Sequence, residues 1–230
     1  MIDKHRIKHI FFDLDHTLWD FDRNSKLAFE RVFLRHRIEV NTEGFLKEYE
    51  PINFEYWKQY REDRVTKEQL RRGRLIDTFN RFEMSFPMEQ IDLLAVSYIE
   101  ELPVDNYLFD GAVAVLDYLS KKYTLHIITN GFEEVQLLKL KNSSISHYFK
   151  TVTTSEEAGV KKPNPKIFSL ALEKAGVVSA TCMMIGDTFE ADILGAEASG
   201  MHTLYYNYRK EQIPERYLKV DHLEEIKDIL

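Results

Sequence analysis

The chain contains a single cysteine, Cys182, which excludes an internal disulfide framework and fits a reducing compartment. Cys182 lies inside an apolar run, where a thiol is normally an inert core residue. No tract is long and apolar enough to cross a bilayer. The basic start, Met1 to His9, lacks the apolar segment and small-residue cleavage site of a signal peptide. A soluble, cytoplasmic protein without a membrane partner is expected. Positive charge is also short, since 31 Lys and Arg against 38 Asp and Glu give a formal net charge of -7. That balance argues against a general nucleic-acid binder, so an anionic ligand would have to be held by local cations, a metal or backbone amides. Internal repeats and low-complexity tracts are missing as well. With 230 residues, 44% of them hydrophobic, the chain can build one substantial core and a smaller second unit.

The most informative stretch is Ile10-Phe11-Phe12-Asp13-Leu14-Asp15-His16-Thr17-Leu18. The run from His9 to Phe12 reads as a strand buried on both faces, and it ends in two carboxylates one residue apart, followed by a threonine. At the carboxyl end of a parallel strand such groups occupy the crevice in which open α/β sheets bind their ligands. From there Asp13 can act as a nucleophile and Asp15 can reach over the same reacting atom. Two anions this close require a proton or a cation between them. A magnesium ion together with a phosphate meets that need, because Mg²⁺ prefers a few carboxylates plus phosphate oxygens. In isolation, a helix start carrying two Asp would look the same.

From Asp22 to Leu102 the spacing predicts helices and no convincing strand, with apolar residues such as Leu27, Phe29, Val32, Phe45, Tyr49, Trp57, Leu70 and Phe79 near helical intervals. Thr42 is read as a cap, and the pattern resumes after Pro51. Residues 20–102 are therefore expected to form an all-helical insert in a domain made of 1–19 and 103–230. After Asp110-Gly111 helices and strands alternate. Strands are predicted at Thr124 to Ile128, Phe149 to Thr153, Cys182 to Ile185 and Thr203 to Tyr206, and helices at Ala112 to Lys122, Lys166 to Ala175 and Leu223 to Leu230. A helix carrying Val135, Leu137 and Leu138 is expected to depart from Thr129-Asn130-Gly131. Alternation of this kind implies right-handed crossovers and a mainly parallel sheet.

Polar residues unusual for their positions recur at the strand ends: Asp13 and Asp15, then Thr129 with Asn130, then Asp187 with Asp192. Taken singly, Thr129-Asn130-Gly131 is an ordinary turn, Asp187 an N-cap and Lys162 a solvated lysine. In a parallel sheet these ends share one edge, so the groups converge although the sequence separates them.

Asp13-Leu14-Asp15-His16-Thr17-Leu18, Thr129-Asn130-Gly131, Lys162-Pro163-Asn164-Pro165 and Gly186-Asp187-Thr188-Phe189-Glu190-Ala191-Asp192, in this order, resemble the four signature motifs of the haloacid dehalogenase-like hydrolase superfamily. The resemblance covers nearly the whole chain and implies a Rossmann-like, mainly parallel sheet with the Asp13 strand at its centre and an inserted helical cap of the first subclass. Phe11-Phe12-Asp13, Thr17-Leu18-Trp19-Asp20-Phe21 and Ile127-Ile128-Thr129-Asn130-Gly131-Phe132 are similar to the pyrimidine 5′-nucleotidase branch, which removes phosphate from nucleoside monophosphates. By this resemblance Asp13 is the nucleophile and Asp15 the general acid and base. Thr129, Asn130, Gly131 and Lys162 would bind the phosphoryl group. Asp13, the backbone carbonyl of Asp15 and Asp187 would hold Mg²⁺, with Asp192 steadying the shell. Dehalogenases and phosphonatases lack the second aspartate, so Asp15 favours phosphate-ester cleavage. A small phosphomonoester is the implied substrate. A sugar-phosphate phosphatase or phosphoglucomutase-like enzyme on the same core is the alternative, and a non-enzymatic binding domain is a third reading. Trp19, Phe21, Trp57 and Tyr60 are candidates to stack on a base, and Arg64, Arg72 and Arg74 to meet polar substrate groups. A monomer is expected.

Overall fold

The structure is a computed structural model describing residues 6–230, so Met1 to His5 of the basic start lie outside the described residues. The chain divides into two compact units, one formed by the chain up to Phe21 together with Asn106–Leu230, the other by Asp22–Asp105.

In the first unit, the strands among the described residues are β1 (His9–Phe12), β2 (Thr124–Thr129), β3 (Phe149–Thr154), β4 (Cys182–Gly186), β5 (His202–Tyr206) and β6 (Lys219–Val220). They form one sheet in the order β3-β2-β1-β4-β5-β6, and every adjacent pair is parallel. Only the two-residue β6 has no counterpart in the sequence reading, being too short to leave a period. Ile10, Phe11 and Phe12 are fully buried, as a central strand covered on both faces demands, and each such side chain contributes about 1.5–3 kcal/mol by burial. Strand order reverses at β1: the chain adds β2 and β3 on one side, then β4 to β6 on the other. This is the switch point at which open parallel sheets leave a crevice beyond the strand tips.

The second unit is helical, with α1 (Phe21–His36), α2 (Thr42–Arg61), α3 (Lys67–Asn80) and α4 (Met88–Glu101). Its core is aromatic. The Phe29 ring lies 4.3 Å from Tyr98 and 4.8 Å from Tyr49, and Phe33 lies 4.9 Å from Phe45. Such pairs add about 0.5–1.5 kcal/mol each beyond area burial. α2 is capped by Asn41, whose side chain accepts from the Gly44 amide, rather than by Thr42, and it runs unbroken through Pro51. Proline removes one ladder bond there, while Phe45, Leu46 and Tyr49 before it and Asn53 and Tyr60 after it are buried and hold the two halves in line. Thr66 and Gln69 form a reciprocal capping box at the start of α3. Arg74, one of the candidates to meet polar substrate groups, is buried: it donates to Asn53 Oδ1 at 2.9 Å and lies over the Tyr98 and Tyr49 rings. Arg72 is paired with Asp92, and Arg64 with Glu62.

The remaining helices belong to the first unit: α5 (Ala112–Leu119), α6 (Glu133–Asn142), α7 (Ser155–Ala158), α8 (Pro165–Ala175), α9 (Gly195–Ala198) and α10 (Ile226–Ile229). α8 starts on Pro165, whose missing N–H is harmless in the first turn, and the Asn164 side chain caps it. Its Ile167, Phe168 and Ala171 pack with Phe11, Ile128 and Met184 of the sheet, and Cys182 is buried in the same cluster. Where the chain leaves and re-enters this unit, the Phe109 amide donates to Leu18 O at 2.9 Å and the Asp20 amide to Tyr107 O at 3.1 Å. These bonds close the base of the insertion.

Candidate active site

Register sets the site. Phe12 lies opposite Ile127 on one side and Ile185 on the other. One residue further on, the Asp13 amide still donates to Ile185 O at 2.9 Å, so Asp13 leaves the sheet level with Ile128 and Gly186. Thr129 and Asp187 are then the next residues on either flank. Asp15 follows in a tight turn: the Leu18 and Trp19 amides both donate to Leu14 O, and His16 adopts φ 61°.

Beyond Asp187 the chain makes a π-helical turn, Phe189–Leu194, a local distortion often found at functional sites. It carries Asp192 back, so that its Oδ2 accepts the Thr188 amide at 3.0 Å. Gly186 leaves the space for this, since a Cβ at that position would lie 2.3 Å from Asp192 Oδ2. Oxygen atoms of Asp13, Asp187 and Asp192 thereby lie within 4.8 Å of one another. Opposite corners of a Mg²⁺ octahedron are roughly 4.2 Å apart, twice the metal–oxygen bond, so the cluster has nearly the right span. It contains only hard oxygen donors and no histidine or cysteine, a set that suits Mg²⁺, Mn²⁺ or Ca²⁺ rather than softer metals.

Lys162 is buried against the same cluster. Its Nζ donates to Asp13 Oδ1 at 2.6 Å and to Ile128 O at 2.8 Å, and sits 2.6 Å from Asp192 Oδ1 in an ion pair. Asn130 holds the lysine's loop, because its Nδ2 donates to Lys162 O at 3.0 Å and its Oδ1 accepts the Lys162 amide at 2.8 Å. Gly195 lets the following turn approach the loop, for a Cβ there would lie 2.9 Å from Pro163. The electrostatics show a cation deficit. Burial pushes the Asp13 carboxyl up to about 7, with Asp192 and Asp15 adding to the effect and Lys162 opposing it. Burial and then the charges of Asp13 and Asp192 hold Asp187 well above the carboxylate range. Burial alone would lower Lys162, but its two carboxylate partners raise it. One ammonium among three carboxylates leaves room for a divalent cation.

Thr129 is buried and its Oγ1 accepts the Gly131 amide at 3.1 Å, which leaves the hydroxyl proton as its donor. α6 begins only at Glu133, with Phe132 at its N-cap. Asn130 and Gly131 therefore lie in the loop before the helix.

The Asp15 side chain is no member of the carboxylate cluster. Lys139 Nζ donates to its Oδ1 at 2.5 Å and Gln136 Nε2 to its Oδ2 at 2.8 Å. Lys139 and Gln136 are each 1% exposed, whereas Leu137 and Leu138 are 49% and 46% exposed. α6 therefore turns Gln136 and Lys139 inward beside Val135 and Leu140, and leaves Leu137 and Leu138 on the outer side. Each half-exposed leucine forgoes roughly half of the 1.5–3 kcal/mol that full burial brings. The signal available in the sequence was a glutamine and a lysine three residues apart in register with Val135 and Leu140. Among the aromatic candidates, Trp19 is fully buried, with Lys139 Nζ 4.0 Å from the ring centroid, and Trp57 packs edge-on to Tyr60.

Residues 7–200 match the family described as haloacid dehalogenase-like hydrolase. The chain is 34% identical over 207 residues to pyrimidine 5′-nucleotidase YjjG of Escherichia coli, covering 90% of this chain and 88% of that protein. It is also 34% identical over 208 residues to glyceraldehyde 3-phosphate phosphatase of Pyrococcus abyssi, covering 89% and 83%. The crystal structure of the putative HAD-hydrolase YfnB from Bacillus subtilis bound to magnesium superimposes with a TM-score of 0.89 at 27% identity, over 98% of this chain and 99% of that one.

Proposed function

This chain belongs to the haloacid dehalogenase-like hydrolase family, and from that premise we propose that it is a Mg²⁺-dependent phosphatase of small phosphomonoesters, with pyrimidine nucleoside 5′-monophosphates as its substrates. The observation that carries the reading is the division of the carboxylates into two sets, Asp13, Asp187 and Asp192 around Lys162, and Asp15 apart from them on its own donors.

A buried carboxylate paired with a lysine at the tip of a central strand is a fixed nucleophile. An Asp13 oxygen attacks phosphorus, the bond from phosphorus to the ester oxygen breaks, and that oxygen leaves with a proton from Asp15. Water then attacks the aspartyl phosphate and gives its proton to Asp15, while the bond from phosphorus to Asp13 breaks and releases orthophosphate. The covalent route splits one displacement into two, and Asp15 serves as acid in the first and base in the second. Lys162 and the Thr129 hydroxyl oppose the charge on the transferring phosphoryl group, and the Asn130 bonds to Lys162 fix that lysine's position. Asp13, the carbonyl of Asp15 and Asp187 would hold the cation. Both oxygens of Asp192 are already engaged by Lys162 and the Thr188 amide, which suits it to steady the shell. The metal, when bound, supplies further charge compensation at the phosphoryl oxygens.

The relatives favour a second reading, since glyceraldehyde 3-phosphate phosphatases match at similar identity. The deciding experiment is phosphate release from a panel of nucleoside monophosphates and sugar or triose phosphates, with Mg²⁺ and with EDTA. Pyrimidine monophosphates should give the highest kcat/KM, activity should vanish reversibly in EDTA, and Asp13→Asn should be inactive. A preference for triose or sugar phosphates would select the second reading.

A further inference from the structure

α6 buries two polar side chains, Gln136 and Lys139, beside Val135 and Leu140, and both reach Asp15, an arrangement that the bare phosphatase chemistry does not require. Both oxygens of Asp15 have a donor, Lys139 at Oδ1 and Gln136 at Oδ2. The Lys139 ammonium lies 4.0 Å from the Trp19 ring centroid and 5.2 Å from that of Phe21, an attractive placement for a cation over aromatic faces. Trp19 is in turn held through Nε1, which donates to Asn106 Oδ1 at 3.4 Å. Gly131 admits Gln136, because a Cβ there would lie 1.6 Å from its Nε2. Lys162 serves the Asp13 side of the site, so each of the two motif aspartates has a buried lysine of its own.

We propose that Lys139 and Gln136 are positioning residues that clamp the Asp15 carboxylate in the plane from which it delivers a proton to the departing ester oxygen. This deepens, and rests on, the phosphatase reading. A carboxylate bonded at one oxygen swings about its Cβ–Cγ bond, whereas one bonded at both does not, and each oxygen keeps a second lone pair for the proton that is transferred. Proton delivery within a narrow geometry is where a small displacement costs most rate.

Leaving groups distinguish this role from a merely structural one. The first irreversible step, read by kcat/KM, needs an acid when an alkoxide departs and does not when p-nitrophenolate departs. Lys139→Met should lower kcat/KM for a nucleoside monophosphate by about 10- to 100-fold, part of the usual general-acid contribution, and that for p-nitrophenyl phosphate by less than about threefold. Asp15→Asn should show the same pattern more strongly, and Lys139→Arg should recover most of the loss. Gln136→Leu, which removes the neutral donor alone, gives the same comparison where Lys139→Met does not fold. Equal losses on both esters, or a change confined to KM, would overturn the clamp while leaving the phosphatase standing. A wild-type protein inactive on every phosphomonoester would overturn the phosphatase reading and the clamp with it.

Discussion

Replacing the Asp13 carboxylate by a carboxamide should make the metal-free protein more stable at neutral pH while removing its activity. Burial holds the Asp13 carboxyl at about 7 against an ordinary value of 3.8. The folded protein therefore keeps a proton that the unfolded chain gives up. The sign follows: the stabilisation is fully present below about pH 4 and is lost as pH rises through about 7. A shift of about 3 units at about 1.4 kcal/mol each sets a ceiling of about 4 kcal/mol, the cost of ionising Asp13 in its buried position beside Asp192 and Asp15, with Lys162 but no metal to offset it. Asn keeps the shape of the neutral acid and never ionises, so the variant lacks this loss. Urea unfolding in EDTA at pH 5 and pH 8 measures it. Wild type should lose a few kcal/mol more than Asp13→Asn between the two, and Mg²⁺ should restore wild type at pH 8 by binding the folded site. Parallel pH dependences for the two proteins in EDTA would refute the electrostatic account of the site.

Lys162→Met leaves three buried carboxylates without their ammonium; phosphate release should fall by at least about 100-fold, and metal-free stability at pH 8 by about 3–5 kcal/mol, as when one partner of a buried pair is removed. Both are read from steady-state rates and urea melts. Gly186→Ala pushes a methyl group onto Asp192, so Mg²⁺ affinity by titration calorimetry should weaken about tenfold or more while the fold persists by circular dichroism. His16, held well below the ordinary range by burial and then by Arg209 and Lys139, should stay neutral between pH 6 and pH 8 in an NMR titration.

Much of the fold was legible because its signals are local. The run from His9 to Phe12 ending in Asp13 announces a buried strand, and the alternation after Gly111 announces a parallel sheet, since period and punctuation need only neighbouring residues. The rotation of α6 was not legible, for the converse reason. Leu137 and Leu138 carry the apolar signal in that segment, while the partner that turns the helix over, Asp15, is more than 120 residues away in sequence. Pro51 was read as a pause in the helical pattern because the buried residues that keep α2 continuous across it are fixed by packing, not by the proline's immediate neighbours.

By itself the sequence determined which chemical groups end the strands, because a buried strand tolerates carboxylates only at its tips. Tertiary structure decided how those groups are shared. It pairs Lys162 with Asp13 and Asp192, and Lys139 with Asp15. Such pairings depend on register and helix rotation, which distant contacts fix and no local period encodes.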